Sequence, residues 1–120
     1  MPFSLPSRIG AVEGKTSPEE LLAAAHGGCF AMSLASELTS AETPPGMLTV
    51  RCTVTMDEVE GKGHQIVRSA LAVRAKVPGV DTAALEAAAH AADASCPFSA
   101  LLRNAGVEVE LTTTHVEGGD

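Results

Sequence analysis

The hydrophobic and polar positions of the chain divide it into helical and strand-like segments. Ser17 followed by Glu20 forms a capping box, and Pro18 occupies the first helical position. We therefore predict a helix that begins at Ser17 and runs to about Leu38. Its middle, residues 21–34, contains no charged side chain on any face, which is typical of a helix that is buried all round.

Strict alternation of apolar and polar residues after this helix predicts a β-hairpin. Residues 48–56 place Leu, Val, Cys, Val and Met on one face of a strand. Residues 61–63, Gly-Lys-Gly, predict a turn into a second strand at about residues 65–77. Pro78 and Gly79 end that strand.

The last third of the chain predicts two helical segments and one more strand. Asp81 can cap a helix over residues 82–94, which ends at Cys96 because the next residue is proline. A short helical turn at residues 99–104 then leads to an alternating strand at residues 107–116. The order of these elements indicates the α+β fold class.

Length and composition indicate one soluble domain over residues 1–120, in which residues 1–16 form an N-terminal arm. Eight Lys and Arg against 15 Asp and Glu give a net charge of −7, which excludes nucleic acid as a favoured partner. The sequence shows neither a long uncharged membrane segment nor a secretion signal, so we expect a cytoplasmic protein without a membrane partner. Three widely spaced cysteines do not form a secreted disulfide scaffold.

The three cysteines differ in their local patterns. Cys29 lies on an apolar stripe of the first helix, where it is either a buried structural thiol or a reactive one. Cys52 lies on the apolar face of a strand and is interpreted as core filler. Cys96 is held outside the helical region by the proline after it, which could present its thiol to an incoming group.

Metal binding is an alternative for the same thiols. His26 with Cys29, and His90 with Cys96, would make a set of two histidines and two cysteines. Their spacing matches no zinc module and lacks a C-x-x-C pair, so no metal and no cofactor is expected. We interpret His26 as a packed, hydrogen-bonded histidine. A pair of glycines, Gly27 and Gly28, predicts a close approach of another element to this helix.

Two motifs carry a resemblance to a known family. Residues 16–34, TSPEELLAAAHGGCFAMSL, resemble the signature helix of the OsmC/Ohr peroxide-resistance proteins, and residues 96–101, CPFSAL, resemble its second conserved element. The Ala-His pair before Gly-Gly-Cys is similar to the OsmC branch. The resemblance covers nearly the whole chain, although family members usually have a longer N-terminal arm.

The resemblance implies a fold and an activity. The fold is a buried central helix packed on an antiparallel sheet, in an intertwined homodimer with pooled sheets. The activity is a thiol peroxidase of oxidative and osmotic stress defence that reduces organic hydroperoxides to alcohols. Cys29 is the implied peroxidatic residue, Cys96 resolves its sulfenic acid to a disulfide, and Arg8 and Glu19 complete the site. A dithiol reductant, of lipoyl type in the Ohr branch, resets the disulfide.

These implied roles make chemical sense, because a buried thiol needs a cation nearby to ionise at neutral pH. Arg8 can stabilise the thiolate and donate hydrogen bonds to the peroxide, and Glu19 can orient its guanidinium. Glu19 and Cys29 are ten residues apart on one helix, or roughly 15 Å, so we expect a site shared between two chains. The second function class is a non-enzymatic binding or structural protein with core cysteines.

Overall fold

The structure, a computed structural model, describes residues 17–116 and places three helices on one face of a three-stranded sheet. Arg8 and the rest of the N-terminal arm lie outside these residues. In chain order the elements are α1 (Pro18–Ser40), β1 (Met47–Val59), β2 (Gly63–Lys76), α2 (Thr82–Ser95), α3 (Pro97–Asn104) and β3 (Glu108–His115). Every element predicted from the sequence is present within a few residues of its expected bounds, and the α+β fold class is confirmed.

The sheet has the order β1-β2-β3 and is mixed, which corrects the expectation of an antiparallel sheet. β1 and β2 form the predicted antiparallel hairpin, whereas β3 runs parallel to β2. The reason lies in the connection, because α2 and α3 carry the chain from the end of β2 back to the level of Arg68 before β3 begins. A parallel neighbour requires a crossover of this kind.

The core lies between the helices and the inward face of the sheet. Alternate residues of β2 are buried there, whereas their sequence neighbours on the opposite face are partly or fully exposed, as period-two alternation requires. Small alanines of α2 allow that helix to approach closely, which compensates for the few aromatic side chains. The core cluster consists of Phe30, Leu34 and Leu38 from α1, Leu71, Val73, Ala75 and Val77 from β2 and its end, Leu85, Ala89 and Ala92 from α2, and Cys96.

Among residues 17–116, the central helix is covered on one side only, whereas the sequence predicted burial on every side. One face of α1 packs into the core, whereas the opposite face leaves Leu21 54% exposed and Met32 69% exposed, with Ala25 exposed between them. We call Leu21, Ala25 and Met32 the outer face of α1. The helix is long and apolar enough to cross a membrane by composition, but its other face forms the core of this fold.

Gly27 lies where α1 crosses β1, and this contact confirms the close approach that the glycine predicted. A Cβ at this position would lie 3.1 Å from the Cβ of Cys52, closer than most Cβ contacts in proteins. Cys52 packs against the core from β1, as predicted. The spacing between α1 and the sheet is therefore set by a residue without a side chain.

Replacing Gly27 should force α1 away from the sheet. We expect Gly27→Val to lower the free energy of unfolding by about 1–3 kcal/mol, because the branched side chain overpacks the contact with Cys52. Ala87→Val is the matched control on the exposed side of α2, where only helix propensity changes and the cost stays below about 1 kcal/mol. Urea denaturation measures the free energy of unfolding of both variants. Equal losses in Gly27→Val and Ala87→Val would contradict this role of Gly27.

Candidate active site

Cys29 and Cys96 lie side by side where α1 meets the corner between α2 and α3. Their sulfur atoms are 3.3 Å apart, within the distance of a thiol–thiol hydrogen bond. Cys96 is fully buried, whereas Cys29 is partly exposed. The structure thus brings together two of the four residues singled out from the sequence. The partly exposed Cys29 thiol therefore has the buried Cys96 thiol directly beside it on the core side.

The position of Cys96 follows from the proline after it. Cys96 is both the C-terminal cap of α2 and the N-terminal cap of α3, with φ −80° and ψ 115°. This is the non-helical conformation predicted for a residue before proline. Pro97 then begins α3 at a position where the missing N–H costs nothing. The corner therefore turns the Cys96 side chain inward, toward α1.

An open pocket of about 620 Å³ lies beside Cys29. Met32 and Phe98 supply apolar surface, and Glu37 is the charged residue in the lining. No basic side chain is present among the described residues that line the pocket, which are Ala25, Cys29, Met32, Ser33, Ser36, Glu37, Ser95 and Phe98. Within residues 17–116, the pocket offers an apolar surface next to a thiol without supplying a cation for it.

The surroundings oppose ionisation of Cys29. Burial raises the pKa of its thiol above the ordinary value, and the adjacent Cys96 raises this pKa further. The backbone N–H of Phe98, in the first turn of α3, donates a hydrogen bond to Cys29 and lowers the same pKa. One amide donor only partly offsets desolvation. The described residues that line the pocket therefore supply no cation to favour the Cys29 thiolate.

Glu19 is not brought to Cys29 by the fold of one chain. It occupies the second position of the unbroken helix α1, roughly 15 Å along the axis from Cys29. Its neighbour Glu20 completes the predicted capping box, in which the Ser17 hydroxyl accepts from the Glu20 N–H and the Glu20 carboxylate accepts from the Ser17 N–H, both at 3.1 Å. Glu20 therefore has the capping role that the sequence predicted.

His26 is fully buried one helical turn before Cys29, and both of its ring nitrogens have hydroxyl partners. Nδ1 lies 2.7 Å from Oγ of Ser69, and Nε2 lies 2.8 Å from Oγ of Ser99. Sγ of Cys52 lies 3.3 Å from the same Ser69 oxygen. The interpretation of His26 as a packed, hydrogen-bonded residue is correct. The alternative metal set is not assembled among residues 17–116, where no cluster of three ligating side chains occurs.

Sequence reasoning missed Ser69 and Ser99, the hydroxyl partners of His26. One signal for Ser69 was present in the sequence, because it is a polar residue at a position of an alternating strand where the next residues on the same face are apolar and face the core. Ser99 is likewise buried in a helix whose neighbouring positions, Ala100 and Leu101, are exposed. A buried hydroxyl requires a hydrogen-bonding partner, and the histidine buried nearby supplies it.

The fold and the thiol pair define a small α+β protein built around two neighbouring cysteines. A family model described as "OsmC-like protein" matches residues 11–112. Peroxiredoxin OsmC of Escherichia coli (strain K12) is 34% identical over 102 residues, which cover 85% of this chain and 70% of that protein. The organic hydroperoxide resistance protein of Xanthomonas axonopodis pv. citri (strain 306) is 31% identical over 112 residues, covering 92% and 75%.

A solved structure agrees with these relatives. The organic hydroperoxide resistance protein from Elizabethkingia anophelis, crystallised with thiocyanate bound, superposes with a TM-score of 0.74 at 29% identity, covering 89% of this chain and 74% of that one. The chain belongs to the OsmC family. The resemblance found in the sequence motifs is therefore confirmed, and the names of the relatives confirm the expected class, a peroxidase-type enzyme.

The buried histidine makes a testable contribution to stability. Burial lowers the pKa of His26 from its ordinary value of 6.5, although the nearby Asp93 carboxylate acts in the opposite direction. The unfolded chain therefore binds a proton more tightly than the folded protein does. Stability from this group is complete above about pH 6.5 and is lost as the pH falls through that value toward the lower folded-state pKa.

We expect the free energy of unfolding of the wild type to fall between about pH 7 and pH 5 more steeply than that of His26→Asn, by up to about 1.4 kcal/mol per pH unit. Urea denaturation across this range measures both slopes. His90→Gln, at an exposed histidine of α2, is the control for the replacement of a histidine. Identical slopes for the wild type and His26→Asn would refute this contribution.

Proposed function

We propose that this protein reduces organic hydroperoxides to alcohols by a two-cysteine mechanism, in which Cys29 is oxidised and Cys96 resolves it. The observation that carries the proposal is the 3.3 Å separation of the two sulfur atoms at the edge of an open, partly apolar pocket. The names of the relatives, a peroxiredoxin and an organic hydroperoxide resistance protein, support the same chemistry.

The proposed cycle has three steps. The Cys29 thiolate attacks one oxygen of the hydroperoxide, the O–O bond breaks, and the alkoxide takes up a proton and leaves as alcohol. Cys29 is then a sulfenic acid. The Cys96 sulfur attacks the Cys29 sulfur, hydroxide takes up the thiol proton and leaves as water, and a disulfide remains. A dithiol reductant, for which a lipoyl group is the candidate, returns two electrons and two protons and resets both thiols.

The cation that the pocket lacks among the described residues is assigned to Arg8. Its guanidinium cannot lose its proton and can donate hydrogen bonds both to the thiolate and to the oxygen on which charge develops. Glu19 would orient that guanidinium through a bidentate pair. The raised pKa of Cys29 supports the need for such a cation, because desolvation otherwise keeps the thiol protonated.

We further propose that the protein works as a homodimer in which each site is shared. The outer face of α1, Leu21, Ala25 and Met32, is apolar and exposed in one chain, and the pocket beside Cys29 opens on it. A symmetry-related α1 running antiparallel across this face would cover it and bring its own Glu19 to Cys29. Roughly 15 Å separate Glu19 from Cys29 along one helix, which supports a contribution from the second chain.

The proposed cellular role is defence against hydroperoxides in the cytoplasm. A mechanism that alternates between two thiols and a disulfide requires a compartment in which the thiols are restored. The odd number and wide spacing of the cysteines fit such a reducing compartment better than an oxidising one.

Thiol titration tests the chemistry and separates it from a protein whose cysteines only fill the core. One equivalent of cumene hydroperoxide should rapidly remove two thiols from the wild type and from Cys52→Ser, the matched control. Cys29→Ser should lose none and should show no turnover, because a hydroxyl does not supply the required anion at neutral pH. Cys96→Ser should consume one equivalent of peroxide and accumulate sulfenic acid on Cys29.

Two results would contradict the assigned roles. Turnover by folded Cys29→Ser would exclude Cys29 as the nucleophile. A disulfide between Cys29 and Cys52 in Cys96→Ser, detected by mass spectrometry, would exclude Cys96 as the required resolving residue. Loss of no thiols from the wild type would favour the structural alternative over a peroxidase.

Mixing two inactive variants tests the shared site. Cys29→Ser and Arg8→Ala are each expected to be inactive, since one lacks the nucleophile and the other lacks the cation. After partial unfolding and reassembly together, a heterodimer with shared sites contains one site in which Cys29 and Arg8 are both intact, so activity should return to about half the wild-type value per heterodimer. Inactivity in a mixture shown to contain heterodimer would place both residues in one chain.

A further inference from the structure

The imidazole of His26 joins the two helical turns that carry the thiols. His26 lies three residues before Cys29 on α1, and Ser99 lies three residues after Cys96 in the first turn of α3. The 2.8 Å contact between Nε2 and the Ser99 hydroxyl is fully buried at both ends. One side-chain hydrogen bond therefore connects the helical turn that precedes Cys29 to the helical turn that follows Cys96.

The first turn of α3 supplies two groups to Cys29, so its position matters for the site. The Cys96 thiol lies 3.3 Å from the Cys29 sulfur, and the backbone N–H of Phe98 donates to the same sulfur. Cys96, the capping residue of α3, makes no side-chain hydrogen bond to the backbone of that helix. The salt bridge between Arg103 and Asp93, at 2.6 Å, anchors the far end of α3 to α2. The bond from Ser99 to His26 adds a fully buried contact between the near end and α1.

His26 has the properties of an anchor rather than of a proton carrier. Its ring is 0% exposed, and both nitrogens are occupied by hydroxyl groups, Ser69 on β2 and Ser99 on α3. The imidazole is not among the residues that line the pocket beside Cys29. It therefore does not face the space beside Cys29. A ring enclosed in a close-packed interior is stiff, and the Ser99 hydroxyl bonded to its Nε2 is held correspondingly well.

We propose that His26 and Ser99 are positioning residues that hold Cys96 for attack on the oxidised Cys29. This inference rests on the proposed peroxidase function. It concerns the second step, in which the Cys96 sulfur displaces hydroxide from the Cys29 sulfenic acid, and water and a disulfide form. The two sulfurs must close by about 1.2 Å to reach the length of a disulfide bond, so a small displacement of the α3 turn delays that step.

A competing reaction makes the delay measurable. If Cys96 is slow, the Cys29 sulfenate attacks a second molecule of organic hydroperoxide, gains one oxygen as sulfinic acid, and releases a second alcohol. Both reactions start from the same intermediate, so their ratio does not depend on how fast that intermediate formed. A loosened α3 turn should shift the ratio from disulfide toward sulfinic acid.

The experiment compares Ser99→Ala with Ser69→Ala over a series of cumene hydroperoxide concentrations. Each variant deletes one buried hydroxyl bonded to the same imidazole, but Ser99 lies on the element that carries Cys96, whereas Ser69 lies on β2. Mass spectrometry measures the fractions of disulfide and of sulfinic acid. Ser99→Ala should lower the peroxide concentration that gives equal fractions by about tenfold, the order expected when a reacting group is misplaced by a fraction of an ångström.

Ser69→Ala should lower this concentration much less than Ser99→Ala does, because Ser69 is not on the element that carries Cys96, although thermal denaturation should show a comparable loss of stability in both variants. His26→Asn removes the imidazole from the same hydrogen bond with Ser99. It should shift the ratio of disulfide to sulfinic acid as Ser99→Ala does. This variant provides the test if Ser99→Ala does not fold. A wild-type ratio in Ser99→Ala or in His26→Asn would overturn the inference, as would an equal shift in Ser69→Ala. If the wild type forms neither the disulfide nor the sulfinic acid, the proposed function itself fails. The wild-type measurement alone shows this, without any variant.

Discussion

The close packing of α1 against β1 is the contact on which the rest of the site depends. Because Gly27 has no side chain, α1 can lie directly against Cys52 of β1. A Cβ at this position would lie 3.1 Å from the Cβ of Cys52. This spacing lets the adjacent His26 reach Ser69 on β2 and Ser99 on α3. With α1 fixed in this way, Cys29 one turn later faces the corner that carries Cys96. The absence of a side chain at Gly27 thus permits the packing in which the two thiols meet.

The same packing that places Cys29 beside Cys96 also disfavours the ionisation of Cys29. A half-buried thiol beside a second thiol is placed well for disulfide formation, but desolvation raises its pKa and disfavours the nucleophilic thiolate. The amide of Phe98 offsets this only in part. The proposed contributions of Arg8 and of a second chain resolve the conflict, because a cation and an apolar cover would come from outside the core of one domain. The exposed, apolar outer face of α1 is where that cover would bind.

Two differences between expectation and structure share one physical cause, which is that periodicity reports only on a residue's own element. Absence of charge along the middle of α1 indicated burial on every side, yet Leu21 and Met32 are exposed because the described part of one chain covers a single face. Alternation in residues 107–116 indicated a strand but not its direction. The direction of β3 was decided by the crossover through α2 and α3, which returns the chain to the start of β2.

Local signals in the sequence determined the helices, the strands, the capping box at Ser17 and the non-helical corner at Cys96, because each depends on residues only a few positions apart. The family motifs also predicted Cys29 and Cys96 as the redox pair. The tertiary structure alone decided that Cys29 and Cys96 lie 3.3 Å apart, and that Ser69 and Ser99 bind one imidazole. These contacts join residues 43–73 positions apart, and they form only when helix and sheet pack at a particular distance.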